Sequence, residues 1–230
     1  AYQLPLLLWI LIKKIKRHEQ FLHGDIKESE LFIPCSALLI FPRTSLAQDQ
    51  NKSLIHLIGL INDFIDQSGI ASAKQKNFYK IKEPLCDFTG GTKAPTSHYS
   101  KHPDIIITHP ISLENRLANP DCHSVYRNGI DLILYDEVHT WEGIEGAEVA
   151  ARNARLQNLF ALKKISPLFI GMSATIANPS IHCKKLFALI KNKSNPDVIE
   201  EDPDEPMIPF TVEHHLMLKP AAGRSVPGVA

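Results

Sequence analysis

Ten residues near the middle of the chain decide the fold: Ile130-Asp131-Leu132-Ile133-Leu134-Tyr135-Asp136-Glu137-Val138-His139. The first six form a mostly apolar run of strand length, and two carboxylates follow at once. A run that is apolar on both faces is typical of a parallel strand covered by helices on both sides. The segment therefore predicts a buried parallel strand at residues 130–135, with functional residues where that strand ends.

Apolar runs of the same kind recur on both sides of this segment. Further strands are predicted at residues 37–41, 104–108 and 167–172, with a shorter one at 85–89. Helical periodicity covers residues 2–17, 54–65, 111–117, 144–162 and 179–190. The polar residues 18–34 are expected to form a loop. This alternation predicts an α/β fold, a mostly parallel, doubly wound sheet with helices on both faces.

Composition and charge exclude several classes of protein. The chain has 230 residues, 44% apolar and 22% charged, which fits one large or two small globular domains and excludes a disordered, collagen-like or coiled-coil chain. Because 25 Lys and Arg balance 25 Asp and Glu, any nucleic-acid binding must be local. The longest apolar run, residues 4–12, is shorter than the roughly 20 residues of a membrane span. A cytoplasmic protein with no membrane partner is expected.

The spacing of cysteine and histidine residues bears on metal sites, and a change in composition along the chain bears on domain boundaries. The four cysteines form no C-x-x-C pair and the eleven histidines show no H-E-x-x-H spacing, which argues against a metal centre built from either type. Beyond residue 192 the chain becomes acidic and Pro-rich. The predicted organisation is one α/β domain over residues 1–192, followed by an exit segment over residues 193–230.

The adjacent carboxylates Asp136 and Glu137 are the candidate chemistry at the end of the central strand. One acid in such a position can hold the water shell of Mg²⁺, while the other orients or deprotonates an attacking water. The alternative is a pair of solvated carboxylates that only ends a strand. The tetrapeptide at residues 136–139 resembles motif II of the DExH-box helicases of superfamily 2.

A second motif of these helicases follows the next predicted strand. Ser173-Ala174-Thr175 resembles motif III, whose short hydroxyl side chains can hydrogen-bond the acidic motif on the neighbouring strand. An ordinary cap of the helix that begins near Pro179 is the structural alternative.

Shorter matches follow other predicted strands. Pro42-Arg43-Thr44 and the residues after it resemble motif Ia, although the common pattern has a threonine where this chain has Arg43. Thr89-Gly90 and Thr108 fit the remaining nucleic-acid-facing motifs of the same domain. Matches in this order, each at the end of a predicted strand, are much harder to obtain by chance than any one alone.

Together the motifs resemble the first RecA-like motor domain of a DExH-box ATP-dependent helicase. The run at residues 141–150 is similar to one found in the large-helicase-related branch. The resemblance implies ATP and Mg²⁺ as cofactors and a second RecA-like domain in cis. It also implies single-stranded or duplex nucleic acid as the partner, and the branch favours DNA.

The resemblance also implies a role for each residue. Asp136 would hold Mg²⁺ through water, Glu137 would activate the attacking water, and His139 would relay hydrolysis to movement. Coupling would fall to Ser173, Ala174 and Thr175. Contacts to the nucleic-acid backbone would come from Pro42, Arg43, Thr44, Thr89, Gly90 and Thr108.

These helicases also carry a P-loop, whose amides cradle phosphate and whose lysine reaches the terminal phosphates. The 230 residues contain no Gly-Lys dipeptide, so we expect the loop to lie immediately before Ala1 and the fragment to be inactive alone. Two other classes stay open. One is a non-enzymatic nucleic-acid-binding or interaction module derived from a degenerate helicase domain. The other is a metal-dependent nuclease, although no third carboxylate is placed at a neighbouring predicted strand end.

Two further features have plain structural explanations. Trp141 could stack on a base, but packing explains a single indole at least as well. The basic cluster at residues 13–17 is expected to be the solvated face of the first helix.

Overall fold

The computed structural model describes residues 2–31, 36–69, 72–88, 103–118, 130–162, 164, 166–174, 176–189 and 196–198. Its helices are α1 (Gln3–Leu22), α2 (Glu28–Leu31), α3 (Thr44–Gln67), α4 (Ala73–Tyr79), α5 (Pro110–Ala118), α6 (Gly143–Ala161) and α7 (Pro179–Leu186). Its strands are β1 (Ser36–Ile40), β2 (Leu85–Asp87), β3 (Ile105–Thr108), β4 (Ile130–Tyr135) and β5 (Leu168–Gly171). The chain divides into two units, residues 1–196 and 197–230, and all of these elements belong to the first. The predicted boundary after residue 192 stays a prediction.

These five strands form one sheet in the order β2-β3-β1-β4-β5, and every neighbouring pair is parallel. The central strand β1 sets Leu38 beside Ile106 of β3 and Ile133 of β4. Because the strands are parallel, their carboxyl ends lie along one edge of the sheet. The predicted α/β fold is confirmed, and the predicted site residues that the structure describes follow or end a strand at this edge.

Side chains of the strands alternate between two apolar layers, because successive residues of a strand point to opposite faces. Ala37 and Leu39 of β1 belong to the layer covered by α1 and α3, whereas Leu38 and Ile40 belong to the layer covered by α5, α6 and α7. Both layers are fully buried along β1. The sheet is therefore a rigid platform for the loops at its carboxyl edge.

The loop predicted at residues 18–34 is wrong over much of its length. Helix α1 continues to Leu22 and α2 forms a further turn at Glu28–Leu31. The extension is stabilised by His18, which is buried and whose Nδ1 lies 2.7 Å from the hydroxyl of Tyr79. Helix α4, which supplies that tyrosine, was not predicted either.

The basic cluster on α1 is not a solvated face throughout. Nζ of Lys14 lies 2.8 Å from a carboxylate oxygen of Asp104, and these side chains are only 12% and 3% exposed. Lys13 forms a second ion pair with Asp131 of β4, at 2.9 Å. Both lysines therefore fix α1 to the body of the domain. Across the parts of the chain that the structure describes, no helix is both long and apolar enough to cross a membrane.

Candidate active site at the carboxyl edge of the sheet

The turn after β4 is clamped by the strands on either side of it. The backbone N–H of Asp136 donates to the carbonyl of Ile40 at 3.0 Å, on the β1 side. On the β5 side, the N–H of Met172 donates to Tyr135 and the N–H of Val138 donates to Met172, both at 2.9 Å. Ladder bonds thus continue one residue past each strand and place the two carboxylates just beyond the sheet.

Glu137 has a left-handed backbone, with φ of 51°. A non-glycine residue in this region costs about 1–3 kcal/mol and persists only where its surroundings hold it. Here the carbonyl of Glu137 accepts a hydrogen bond from the hydroxyl of Thr140 at 2.8 Å. The conformation starts a short 3₁₀ turn, Val138–Thr140, that sends the chain away from the edge. Strain of this kind is concentrated at functional sites.

The carboxyl group of Asp136 has no cationic partner among the residues that the structure describes. Partial burial raises its pKa above the ordinary value for aspartate, and the adjacent Glu137 carboxylate raises it further. The N–H of Glu137 donates to Oδ1 of Asp136 at 3.0 Å, which opposes this shift. Mutual repulsion and partial burial make two neighbouring carboxylates favour the approach of a cation.

These residues fit Mg²⁺ of the kind that accompanies nucleotides. Such an ion takes one or two carboxylates, keeps several waters and binds the substrate's phosphates, so it needs no cage of protein ligands. Within the described ranges no cluster of three or more His, Cys, Asp or Glu could hold a metal. Asp87 also ends a strand, but β1 and β3 separate β2 from β4, and Arg116 neutralises its charge. The third carboxylate that a nuclease would need is not found there.

His139 joins the predicted motifs II and III. Its Nδ1 lies 2.8 Å from Oγ of Ser173 and 3.2 Å from Oε2 of Glu137. The contact with Ser173 is a hydrogen bond, whereas Glu137 places a carboxylate oxygen within ion-pair distance of the same ring nitrogen. Ala174 is exposed beside them, and Thr175 lies outside the described residues. The structure thus brings together three of the predicted site residues on two neighbouring strand ends.

The amino end of α1 lies at the same edge. The hydroxyl of Tyr2, the residue before this helix, has its pKa raised by burial and further by the carboxylate of Asp136. The first turn of α1 contains no acidic residue. Free amides and the helix dipole make the amino end of a 20-residue helix favourable to anions.

The predicted motif Ia residues follow β1 at this edge. Arg43 has an extended backbone and directly precedes α3, and both Arg43 and Thr44 are exposed. The carbonyl of Pro42 accepts a hydrogen bond from Nε2 of His109 at 3.1 Å. Since Nδ1 of His109 accepts from the N–H of Ile111 at 3.3 Å, the proton of the neutral ring is on Nε2. His109 thereby ties the loop after β1 to the loop after β3.

Thr108 does not face the surface. Its side chain is fully buried, and its hydroxyl donates to the carbonyl of Asp87 at 2.9 Å, joining β3 to β2. Nothing in this placement supports its predicted contact with nucleic acid. Thr89 and Gly90 lie outside the described residues.

Trp141 packs inside the domain, as the structural explanation required. It is 6% exposed and belongs to the apolar layer formed with α6 and α7. Its carbonyl lies only 2.4 Å from where a Cβ would stand on Gly146, so glycine is needed at that position of α6. The residues after the DExH-like turn are thus fixed by close packing.

Sequence reasoning missed three residues that organise the edge. Arg116 of α5 forms two hydrogen bonds with Asp87, at 2.7 and 3.0 Å, in a fully buried ion pair. His182 of α7 contacts the carbonyl of Val138 at 2.9 Å. Asp87 directly follows two residues of an apolar strand, which is a usable signal. The other two belong to no motif and are brought to the edge only by tertiary packing.

Comparison with known proteins gives the following relatives, and no protein-family model matches the chain. Over 147 residues the chain is 34% identical to the uncharacterized ATP-dependent helicase YprA of Bacillus subtilis, covering 62% of this chain and 17% of the relative. It is 29% identical over 160 residues to the ATP-dependent helicase hrq1 of Schizosaccharomyces pombe, covering 67% and 13%. The solved structure of DUF1998 helicase MrfA bound to DNA and AMPPNP superposes with a TM-score of 0.51 at 28% identity, covering 67% of this chain and 19% of that one.

These relatives confirm the resemblance to ATP-dependent helicases of superfamily 2, and the sheet matches a helicase RecA-like domain. The chain spans 17% and 13% of the two curated helicases and 19% of the solved one. The likeness is therefore to one segment of much longer proteins.

Proposed function

Because the chain is related to a segment of superfamily 2 ATP-dependent helicases, we propose that it is the part of such an enzyme that couples ATP hydrolysis to movement along nucleic acid. DNA is the favoured partner, since the similar MrfA is described as bound to DNA and AMPPNP. One observation carries the proposal. His139 contacts both Glu137 and Ser173, so a carboxylate suited to nucleotide chemistry is joined to the end of the next strand.

Asp136 and Glu137 divide the work at the nucleotide. Asp136 would hold Mg²⁺ through water, and the bound ion would neutralise charge on the phosphates. Glu137 would accept a hydrogen bond from the attacking water and take its proton. The first-turn amides of α1 would face the phosphates from the side of Tyr2. The left-handed backbone of Glu137 would set the direction of its carboxyl group, because the hydrogen bonds of the turn hold that backbone in place.

His139 would report the state of the nucleotide to the rest of the domain. While the Glu137 carboxylate is free, Nδ1 of His139 is hydrogen-bonded to Ser173 and lies 3.2 Å from that carboxylate. When Glu137 binds the attacking water, its electrostatic attraction for the imidazole would weaken and the contact with Ser173 would adjust. Ser173 directly follows Met172, whose carbonyl accepts a hydrogen bond from the N–H of Val138 in the same turn. A small change at Glu137 would therefore reach the segment after β5.

Nucleic acid would cross the same edge on the β1 side. Arg43 and Thr44 are exposed there, and Pro42 is held by His109, so these three residues remain the proposed contacts to the phosphate backbone. Thr89 and Gly90 stay in the proposal on sequence grounds alone. A second RecA-like domain in cis would close over the nucleotide, and the greater length of the relatives is consistent with it.

The test is ATP turnover by the product of the full open reading frame that contains these residues. Glu137→Gln should leave ATP binding intact and lower DNA-stimulated phosphate release by a factor of about 10²–10⁴, the usual value of general-base assistance. Glu142→Gln is the matched control, because Glu142 is an exposed carboxylate close by in the chain. It should turn over like the wild type.

Three outcomes would contradict the proposal. Near wild-type turnover in Glu137→Gln would remove Glu137 from the reaction. A wild-type protein that binds DNA but releases no phosphate would be the non-enzymatic module. Mg²⁺-dependent cleavage of DNA without ATP would point to a nuclease.

A further inference from the structure

We propose that His182 is a positioning residue, which holds the turn bearing Glu137 and His139 in its working geometry. Nε2 of His182 lies 2.9 Å from the carbonyl oxygen of Val138, the residue between those two. Because a carbonyl only accepts, His182 is the donor. The inference rests on the proposed function for its effect on catalysis, but the hydrogen bond itself can be tested without it.

Val138 is the anchor of the turn, because both of its backbone polar groups are bonded to the segment that starts with Met172. Its N–H donates to the carbonyl of Met172 at 2.9 Å, and its carbonyl accepts from His182. That carbonyl also accepts from the N–H of Trp141 at 3.2 Å, within the 3₁₀ turn. The side chain of Val138 is buried, so the residue has no freedom to pivot independently of these bonds.

The two anchors lie on either side of Ser173. Met172 precedes this serine and His182 follows it, on the helix that comes after the motif III segment. Ser173 in turn contacts His139 at 2.8 Å. The segment 172–182 therefore grips the turn at three points, two through the backbone of Val138 and one through a functional side chain. A shift of this segment would move Val138, and with it Glu137.

Helix α7 presents His182 from a fixed position. Cys183 of this helix and Phe187, which directly follows its end, pack against Gly171 at the end of β5. A Cβ on that glycine would lie 3.0 Å from Sγ of Cys183 and 3.0 Å from Cγ1 of Val138. At Gly171 the turn, β5 and α7 thus meet without room for a further side-chain atom. The imidazole of His182 reaches the Val138 carbonyl from a helix that cannot easily follow a misplaced turn.

The strained backbone of Glu137 explains why this anchor matters. A left-handed residue persists only where neighbouring contacts hold it, and the carbonyl of Val138 is the first hydrogen-bond acceptor that follows it. Without His182 the Val138 carbonyl keeps only the 3.2 Å hydrogen bond from the N–H of Trp141, so the turn is held less tightly and Glu137 can relax toward an ordinary conformation. Its carboxyl group would then leave the position from which it activates water. His182 itself need not touch the nucleotide.

The first measurement is amide hydrogen exchange in residues 136–142 of the protein, for the wild type and four variants. His182→Ala removes the donor and should speed exchange in this segment by roughly three- to tenfold, the range that one hydrogen bond supports. His182→Gln places an amide N–H near the position of Nε2 and should restore slow exchange. His182→Asn is too short and should behave like alanine. His56→Ala, at an exposed histidine of α3, is the matched control and should change nothing.

The second measurement is ATP turnover by the same variants in the product of the full open reading frame. His182→Ala should lower kcat by roughly three- to tenfold, with KM for ATP changed less than about twofold, and His182→Gln should recover most of kcat. A merely structural role would lower folded protein and activity together, without this split or this rescue.

The outcomes separate the two proposals. Unchanged exchange in His182→Ala, or equal exchange in the alanine and glutamine variants, would overturn the role of His182. Altered exchange with wild-type kcat would also overturn it, because the turn would then not need holding. Altered exchange in a protein whose wild type hydrolyses no ATP would leave the anchor standing and refute the proposed function instead.

Discussion

Arg116→Ala should be among the most damaging single substitutions in the domain. The guanidinium of Arg116 binds both carboxylate oxygens of Asp87, at 2.7 and 3.0 Å, and the two side chains are only 2% and 4% exposed. Two parallel hydrogen bonds between fully charged partners form the strongest polar contact of this kind. Asp87 ends β2, so the pair also fixes the end of that strand.

The magnitude follows from what the substitution leaves behind. Removing the arginine takes the countercharge from a buried carboxylate, and breaking a buried pair in this way costs about 3–5 kcal/mol. A domain of ordinary stability has about 5–15 kcal/mol in total, so a large part of it would be lost. The double variant Asp87→Val/Arg116→Met removes both charges at roughly the native combined volume, and it should recover much of that loss.

Urea unfolding followed by circular dichroism measures the effect. The exposed pair of Lys52 and Asp49 provides the control, because its side chains are 79% and 74% exposed and Lys52→Ala should change stability within the error of the measurement. A loss below about 1 kcal/mol in Arg116→Ala would refute the reasoning, since it would mean that Asp87 is solvated or neutral when its partner is gone.

Three further substitutions test other parts of the account. Gly146→Ala should destabilise the domain by about 1–3 kcal/mol in urea unfolding, because the new Cβ would lie 2.4 Å from the Trp141 carbonyl oxygen. Gly59→Ala should stabilise it, since nothing lies within 4 Å of that Cβ, and equal effects of the two changes would contradict the packing at Gly146. Asp136→Asn should raise the thermal midpoint at pH 7, because the raised pKa of Asp136 means that its ionised form opposes folding. The gain should vanish as the pH falls below the ordinary aspartate pKa, and a lower midpoint at pH 7 would contradict the direction of the pKa shift. Arg43→Ala should weaken the binding of single-stranded DNA equally for all sequences, and the salt dependence of that affinity should fall by about one phosphate contact. A lowered melting temperature with unchanged DNA affinity would show that Arg43 only packs.

The strands could be predicted because each is a short run that is apolar on both faces. The run at residues 130–135 coincides with β4, and the two carboxylates after it lie where parallel topology requires. Helix α4 escaped prediction because its sequence is polar and short. Its one signal was the capping box formed by Ser72 and Gln75, whose side chains and backbones bond reciprocally.

Tertiary contacts account for the remaining differences. His18 looks like a loop residue in the sequence, but Tyr79 gives its buried ring a partner and α1 continues through it. Lys14 looks solvated in the sequence, but the fold places Asp104, which is distant along the chain, in an ion pair with it. His182 carries no local signal for its contact with Val138, because that contact depends on how α7 packs on β5. A periodic pattern reports which residues are apolar, not which polar groups meet.

The most direct test of the central claim, that Asp136 and Glu137 form a nucleotide site, is a structure of the full open reading frame's product with Mg²⁺ and a non-hydrolysable ATP analogue. The terminal phosphate is expected between the amino end of α1 and the turn after β4, with Mg²⁺ linked to Asp136 through water. A water near the γ-phosphate is expected within hydrogen-bond reach of Glu137, about 2.6–3.2 Å. A nucleotide bound elsewhere, or one bound here with both carboxylates turned away from phosphate and metal, would contradict it.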